Sequence, residues 1–302
     1  MRNRLIRILL IAVLATCAIP AWATLEVFAC EPEWGSLVTE LAGDNAKVYV
    51  ATTAMQDVHH IQARPSLIAA MRRADLIVCT GAELEVGWLP VLLRQSGNDR
   101  IQRGRPGNFE ASRYVRMLEV PSRLDRAQGD VHPMGNPHIH TDPRNIARVA
   151  DALTGRLGEI DPQNAATYQS RLKDFSARWD KAMVRWQSRA APLRGMPVIE
   201  YHKAFTYLFA WLGIQATGFL EPKPGVDPTT GHLTELLAQQ KSKPARMVVR
   251  ASYNGPRAAD WFGERAGIPV VVLPFTVGGD AASSNLFSWY DDMIDLMLEG
   301  AK

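Results

Sequence analysis

Cysteine is scarce in this chain: three residues, Cys17, Cys30 and Cys79, among 302. No two of them have CxxC spacing, which excludes a cysteine-based zinc site. An excess of one charge is also missing. The formal net charge is +3, and Arg2, Arg4 and Arg7 near the start supply all of it, so the remainder is neutral. A neutral chain offers no electrostatic footprint for nucleic acid or an acidic membrane. No apolar run is long enough for a membrane-spanning helix. Neither His-Glu-x-x-His nor Gly-x-Ser-x-Gly occurs, so the common signatures of zinc proteases and serine hydrolases are absent. Histidine is present in moderate number but forms no tract: His59, His60, His132, His138, His140, His202 and His232 make up all 7.

The first feature present is a targeting segment. Arg2, Arg4 and Arg7 precede an apolar core from Ile8 to Ile19, and Ala21-Trp22-Ala23 has the small-x-small form of a signal-peptidase site. A cleavable signal peptide over 1–23 and a periplasmic mature chain from Thr24 are expected. Leu14-Ala15-Thr16-Cys17 resembles a lipoprotein cleavage box, which would leave a lipidated Cys17, but Thr16 is a poor residue before that cysteine. About 280 residues then remain, more than one ordinary core holds, so two domains are expected. In an exported protein Cys30 and Cys79, each ending a strand, can pair as a disulfide or stay as two buried thiols.

Strands and helices alternate along the chain. Leu25–Ala29, Lys47–Ala51 and Ala74–Cys79 read as strands, with helices over Glu33–Leu41 and from Pro65 to about Arg73, and a stretch from Gly81 to Leu89 that turns into a helix ending near Gln95. The near-uniform apolarity of Ala74–Cys79 suits a buried parallel strand. From Gly97 to Gly135 the pattern fades, with one strand expected at Met117–Val120 and a loop over Pro121–Gly135. A helix follows from Pro143 to about Glu159. Tyr168, Leu172, Phe175, Trp179, Met183 and Trp186 then form one apolar stripe, which predicts a helix of about thirty residues, roughly 45 Å long, over 161–191. The stripe can pack against two domains or serve as a partner-binding face. The α/β rhythm restarts with strands Pro197–Tyr201, Ile214–Phe219, Met247–Arg250 and Val270–Leu273, and ends in a helix over Leu286–Glu299. The expected architecture is α/β: a lobe over 24–160, a linking helix over 161–191 and a second lobe over 192–302, each lobe a parallel sheet flanked by helices.

Polar candidates fall where parallel sheets bind ligands, beyond the carboxyl ends of strands. His59 lies after the second strand, His202 directly after Glu200-Tyr201, and Asp280 in the Gly278-Gly279-Asp280 loop after Val270–Leu273. His138 and His140 sit in Gly135-Asn-Pro-His138-Ile-His140-Thr-Asp142-Pro143, just before the helix. His59, His138, His202 and Asp280 make an N₃O set that closes tetrahedrally around Zn²⁺, whereas Mn²⁺ usually draws more oxygen ligands. Each feature also has an ordinary explanation: loop histidines are often solvated, and Asp142 before Pro143 fits a helix cap better than a ligand. Glu200 is expected to be held away from the cleft, and His232 to be exposed.

These residues also carry a family resemblance. Asp57-Val58-His59 with Arg64-Pro65-Ser66 resembles the first ligand segment of the zinc and manganese solute-binding proteins of ABC importers. Asn136-Pro137-His138-Ile139 resembles their second, and Tyr201-His202-Lys203-Ala204-Phe205-Thr206-Tyr207 their third; Leu220-Glu221-Pro222 and Thr276-Val277-Gly278-Gly279-Asp280 fit the later loops. The resemblance implies two α/β lobes bridged by a rigid helix, with metal in the cleft between them. It also implies an ABC permease and its ATPase subunit as partners. Some departures stand out. Val58 replaces the usual proline, and His60 adds a second candidate beside His59, although the spacing to Pro65-Ser66 favours His59. His140 stands where an aromatic residue is common. The loop 121–135 holds only Asp125, Asp130 and His132 in place of a long histidine-rich insertion, so His132 reads as a solvated residue or one that hands metal inward.

The function expected is a monomeric periplasmic zinc receptor, with a periplasmic zinc donor as a candidate partner, that delivers Zn²⁺ to an ABC importer. Its alternatives are a manganese or iron receptor of the same family, an exported zinc hydrolase with three histidines and water at the metal, and a lipid-anchored adhesin.

Overall fold

The computed structural model describes residues 24–123 and 129–302. The expected signal peptide, the Cys17 box and Asp125 lie outside them. Among the described residues, eight parallel strands form two sheets of four. The first contains β1 (Leu25–Ala29), β2 (Ala46–Val50), β3 (Leu76–Cys79) and β4 (Asn108–Glu110), in the order β2-β1-β3-β4. The second contains β5 (Pro197–Glu200), β6 (Gln215–Phe219), β7 (Met247–Ala251) and β8 (Val270–Leu273), in the order β6-β5-β7-β8. The two orders are identical, which gives structural form to the repeated rhythm of the sequence. All four residues of β3 are buried, as a central parallel strand covered on both faces requires.

Helices α1 (Pro32–Ala42), α2 (Pro65–Arg73) and α3 (Leu89–Ser96) belong to the first lobe, and α4 (Pro143–Ile160) leads out of it. Helix α5 (Ala165–Arg189) is the long one; α6 (Thr206–Leu212), α7 (Thr230–Gln240), α8 (Pro256–Ala266) and α9 (Leu286–Gly300) follow. At 25 residues, α5 spans about 37 Å, less than the sequence predicts. Separate 3₁₀ turns at Pro162–Asn164 and Ala191–Leu193 flank it. Asp161 accounts for the first of these, because its carboxylate accepts from Asn164 Nδ2 at 2.7 Å and from the Tyr168 hydroxyl at 2.5 Å.

The aromatic stripe of α5 faces inward. Trp179 Nε1 donates to Pro143 O at 2.9 Å and Trp186 Nε1 to Asp291 Oδ1 at 2.9 Å, and both rings meet Phe287 and Tyr290 of α9. A partner-binding role for these rings is thereby overturned. One apolar cluster runs from Val27 and Leu76 through Trp179 to Val198, Met247 and Trp289, so the inner faces of both sheets share a core around α5. Tyr168, Phe175, Trp179 and Trp186 are all buried along this one helix, and aromatic rings supply the largest contact areas.

One expected strand is absent. Met117–Val120 is irregular, and the fourth strand is instead Asn108–Glu110, whose only buried residue is Phe109. Three residues with one buried side chain carry too little periodicity to be read in advance. Leu118 N donates to the Tyr207 hydroxyl at 2.9 Å, so 117–120 serves as a tie to the second lobe.

Candidate metal centre

Three histidines converge between the sheets. A single ring nitrogen from each of His59, His138 and His202 lies within 4.8 Å of the others. Each is fixed by its own local structure.

His59 sits in the 3₁₀ turn Val58–His60, capped by Asp57. Asp57 Oδ1 accepts from His59 N at 3.0 Å and lies 2.7 Å from His59 Nδ1, which directs Nε2 inward. Burial alone would raise the Asp57 pKa, but the hydrogen bond and charge of His59 prevail and hold it at about 2. Trp88 Nε1 donates to Val58 O at 2.9 Å and braces the turn from behind.

His138 is 1% exposed, and its backbone N–H donates to Asn136 Oδ1 at 3.0 Å. Asn136 itself crosses the cleft: its Nδ2 donates to Lys203 O at 2.8 Å. The His138 Nδ1 has no hydrogen-bond partner among the described residues, while Nε2 lies 3.3 Å from His202 Nε2. Burial, and then the nearness of His202, pushes the His138 pKa well below its usual value. A neutral imidazole is the form that binds metal.

His202 follows β5. Its Nδ1 lies 2.7 Å from Glu221 Oε2, the second carboxylate-histidine pair of the site. Such pairs fix ring orientation and raise ligand basicity. The strand register explains the pairing, since Glu200 lies opposite Phe219 and two residues further on His202 comes beside Glu221.

The other candidates take distinct places. His60 is exposed and, with His59, His132 and Glu83, lines a cavity of about 870 Å³; it is not part of the trio. His140 is fully buried away from the trio: it stacks on Trp289, and its Nε2 lies 3.1 Å from Phe275 O. Its position beside the aromatic rings fits the departure seen in the sequence. Asp280 is not brought to the three imidazoles. It is exposed, and Oδ1 accepts from Ala282 N at 2.9 Å and Ser283 N at 2.8 Å within its own loop. It also faces Asp292, whose pKa rises to about 6 through burial and this neighbour. His132 is not a solvated loop residue. Its Nε2 lies 3.3 Å from His59 Nε2, and burial, then His59, pushes its pKa down to about 4.

Glu200 is buried and held by Phe205 N at 2.7 Å, out of the cleft; burial raises its pKa to about 8. Asp142 caps α4 through Arg144 N at 2.9 Å. His232, expected to be exposed, is half-buried with Nε2 2.9 Å from Phe219 O. Glu221 had no assigned role in the sequence; the signal that could have given it one was an acid two residues past the strand paired with the strand before His202. Cys30 and Cys79 are joined in a disulfide.

A model of the family described as the periplasmic zinc-uptake complex component A, ZnuA, matches residues 27–300. The chain belongs to this family. The zinc-binding lipoprotein AdcA of Streptococcus pneumoniae (strain ATCC BAA-255 / R6) is 22% identical over 245 residues, covering 78% of this chain and 46% of AdcA. The high-affinity zinc uptake system protein ZnuA of Brucella abortus (strain 2308) is 27% identical over 111 residues, 37% of this chain and 33% of that protein. The ZnuA-family chain described here thus spans less than half the length of these two relatives in its matches. A crystal structure of ZnuA superposes with a TM-score of 0.74 at 19% identity, covering 92% of this chain and 98% of that one. A Cd-bound periplasmic metal-binding protein from Candidatus Liberibacter asiaticus gives 0.74 at 17%, covering 91% and 99%. The two-lobed fold is therefore that of ZnuA-type metal-binding proteins.

Proposed function

We propose that this ZnuA-family protein is a periplasmic receptor that captures one Zn²⁺ between its lobes and delivers it to an ABC permease and its ATPase subunit. The carrying observation is the meeting of His59, His138 and His202, with ligand nitrogens within 4.8 Å, in a buried cleft where two rings are oriented by carboxylates. A largely imidazole donor set suits zinc better than manganese, which prefers oxygen ligands. The Cd-bound neighbour shows that this fold accepts other divalent ions, so metal choice rests on the donor set. Asp280 joins the set as the fourth ligand only if its loop carries the carboxylate to the imidazoles; in this structure Oδ1 accepts from Ala282 N and Ser283 N.

A hydrolytic reading needs an open coordination position and a free general base. The two carboxylates beside the imidazoles, Asp57 and Glu221, are both spent on histidine Nδ1 atoms, and the family is one of uptake components. Export by a signal peptide over 1–23, a monomeric state and loading by a periplasmic zinc donor complete the proposal.

Chelator competition with the mature protein tests it. One equivalent of zinc bound, with Mn²⁺ displaced by Zn²⁺, is expected. Failure to retain any divalent metal would overturn the receptor reading, and preference for Mn²⁺ would overturn the choice of zinc.

A further inference from the structure

We propose that the ion pair of Glu119 and Lys203 is a clasp between the lobes that sets how fast metal enters and leaves the cleft. This rests on the zinc-receptor reading above and adds a control on exchange, leaving the ligand set as it stands.

Its place in the molecule points to that role. Lys203 Nζ donates to Glu119 Oε1 at 2.8 Å, which joins the first lobe's 117–120 segment to the residue directly after His202. A cavity of about 110 Å³ is lined by Glu119 and Lys203 and also by His138 and His202. The two imidazole residues are 1% and 9% exposed, whereas the side chains of Glu119 and Lys203 are 36% and 37% exposed. The cavity therefore runs from the buried nitrogens to the ion pair, which stands where it meets solvent.

The clasp also reaches a ligand through one side chain. Glu119 Oε2 accepts from Asn136 Nδ2 at 2.9 Å and from Thr206 Oγ1 at 3.3 Å. Asn136 Oδ1 in turn accepts from His138 N at 3.0 Å. Lys203 thus holds Glu119, and Glu119 holds the amide that positions His138. The Glu119 backbone has a φ of 54°, a left-handed conformation uncommon for a residue with a Cβ, so its surroundings rather than local preference keep the carboxylate there. A second interlobe contact borders the same cavity, where Asp130 N donates to Pro224 O at 2.8 Å. That contact is between backbone atoms, so losing the ion pair loosens the cleft without undoing it.

The two charges act oppositely on an approaching cation. Lys203 repels it and Glu119 attracts it, and charges at the rim of a site act mainly on the association rate. Loss of either partner opens the clasp and speeds release. Loss of Lys203 also speeds entry, while loss of the Glu119 charge slows it.

Stopped-flow fluorescence measures release with a zinc chelator and association with a zinc indicator. Glu119→Gln keeps a hydrogen-bonding side chain, and Lys203→Met keeps an apolar stem over the Phe219 ring that Lys203 Nζ approaches at 5.1 Å. Each is expected to release zinc roughly two- to fivefold faster, with association slowed in the first and quickened in the second. The double variant is expected to release zinc no faster than the quicker single one, because both remove the same contact. Arg100→Met, which breaks the Asp75–Arg100 pair elsewhere in the first lobe, is expected to leave both rates unchanged. Unchanged release in both single variants, release rates that multiply in the double variant, or association shifted in the same direction by both would overturn the clasp and leave the receptor reading intact. Absence of bound zinc in the unsubstituted protein would overturn both. Circular dichroism of each apoprotein confirms that the fold is retained.

Discussion

The two lobes share a sheet order yet close the ends of their central strands differently. In the first lobe Cys30 N donates to Val78 O at 2.9 Å; in the second, Tyr201 N donates to Val249 O at 2.8 Å. Tyr201 therefore stands where Cys30 does, and Arg250 where Cys79 does. The first lobe joins these positions by a disulfide, and the second does not. The next residues differ as well. Glu31 is buried beside Thr80, with Thr80 Oγ1 donating to Glu31 Oε2 at 3.2 Å, whereas the equivalent His202 faces the metal site. At this end of the same topology the first lobe carries a disulfide followed by a buried acid, and the second carries the histidine proposed as a ligand. This division leaves the first lobe as the fixed platform for His59, and places adjustment in the loops of the second.

Removing ligands from each side tests the comparison at its largest. His59→Ala and His202→Ala are each expected to lower zinc affinity by more than roughly a hundredfold, measured by chelator competition; if only one did so, metal would not be shared between lobes. Breaking the brace comes next. The paired substitution Cys30→Ser with Cys79→Ser is expected to cost about 2–4 kcal/mol in urea unfolding, with no counterpart from substitutions at Tyr201 or Arg250 of the same kind.

The buried acid of the second lobe gives a pH signature. Glu200 has a folded pKa of about 8, raised by burial from 4.5, so the folded state keeps a proton that the unfolded state releases. Stability from this group is complete below the unfolded value and is lost as pH rises through about 8. Glu200→Gln is expected to flatten that decline by roughly 2–3 kcal/mol between pH 5 and 8, as read by thermal or urea unfolding. The smallest effect belongs to the orienting carboxylates. Asp57→Asn and Glu221→Gln are each expected to weaken zinc binding about tenfold; a larger loss from Glu221 than from Asp57 would sharpen the view that the second lobe is the adjustable one.

The sheets, the long helix and the three converging histidines were legible because each leaves a local mark: apolar runs, a stripe of 3.6 period, and histidines in the loop after a strand (His59, His202) or just before a proline-started helix (His138). Other features depend on contacts distant in sequence. His132 looked like a solvated residue because nothing near it in sequence shows that Asp130 will seat on Pro224. The loop motif marks Asp280 as a ligand candidate, and its bonds to Ala282 and Ser283 and its approach to Asp292 appear only in the folded chain. The three-residue β4 and the role of Glu221 need strand register, which the sequence does not display. The disulfide needed the adjacency of β1 and β3 before either thiol state could be preferred.

The most direct test of the central claim is metal content by elemental analysis after equilibration with mixed Zn²⁺ and Mn²⁺, for the mature protein and for His138→Ala. The account predicts close to one zinc per chain, with little manganese, and a sharp loss of zinc in the variant. Equal zinc retention by His138→Ala would contradict it, because the buried imidazole at the centre of the cleft would then not be holding the metal.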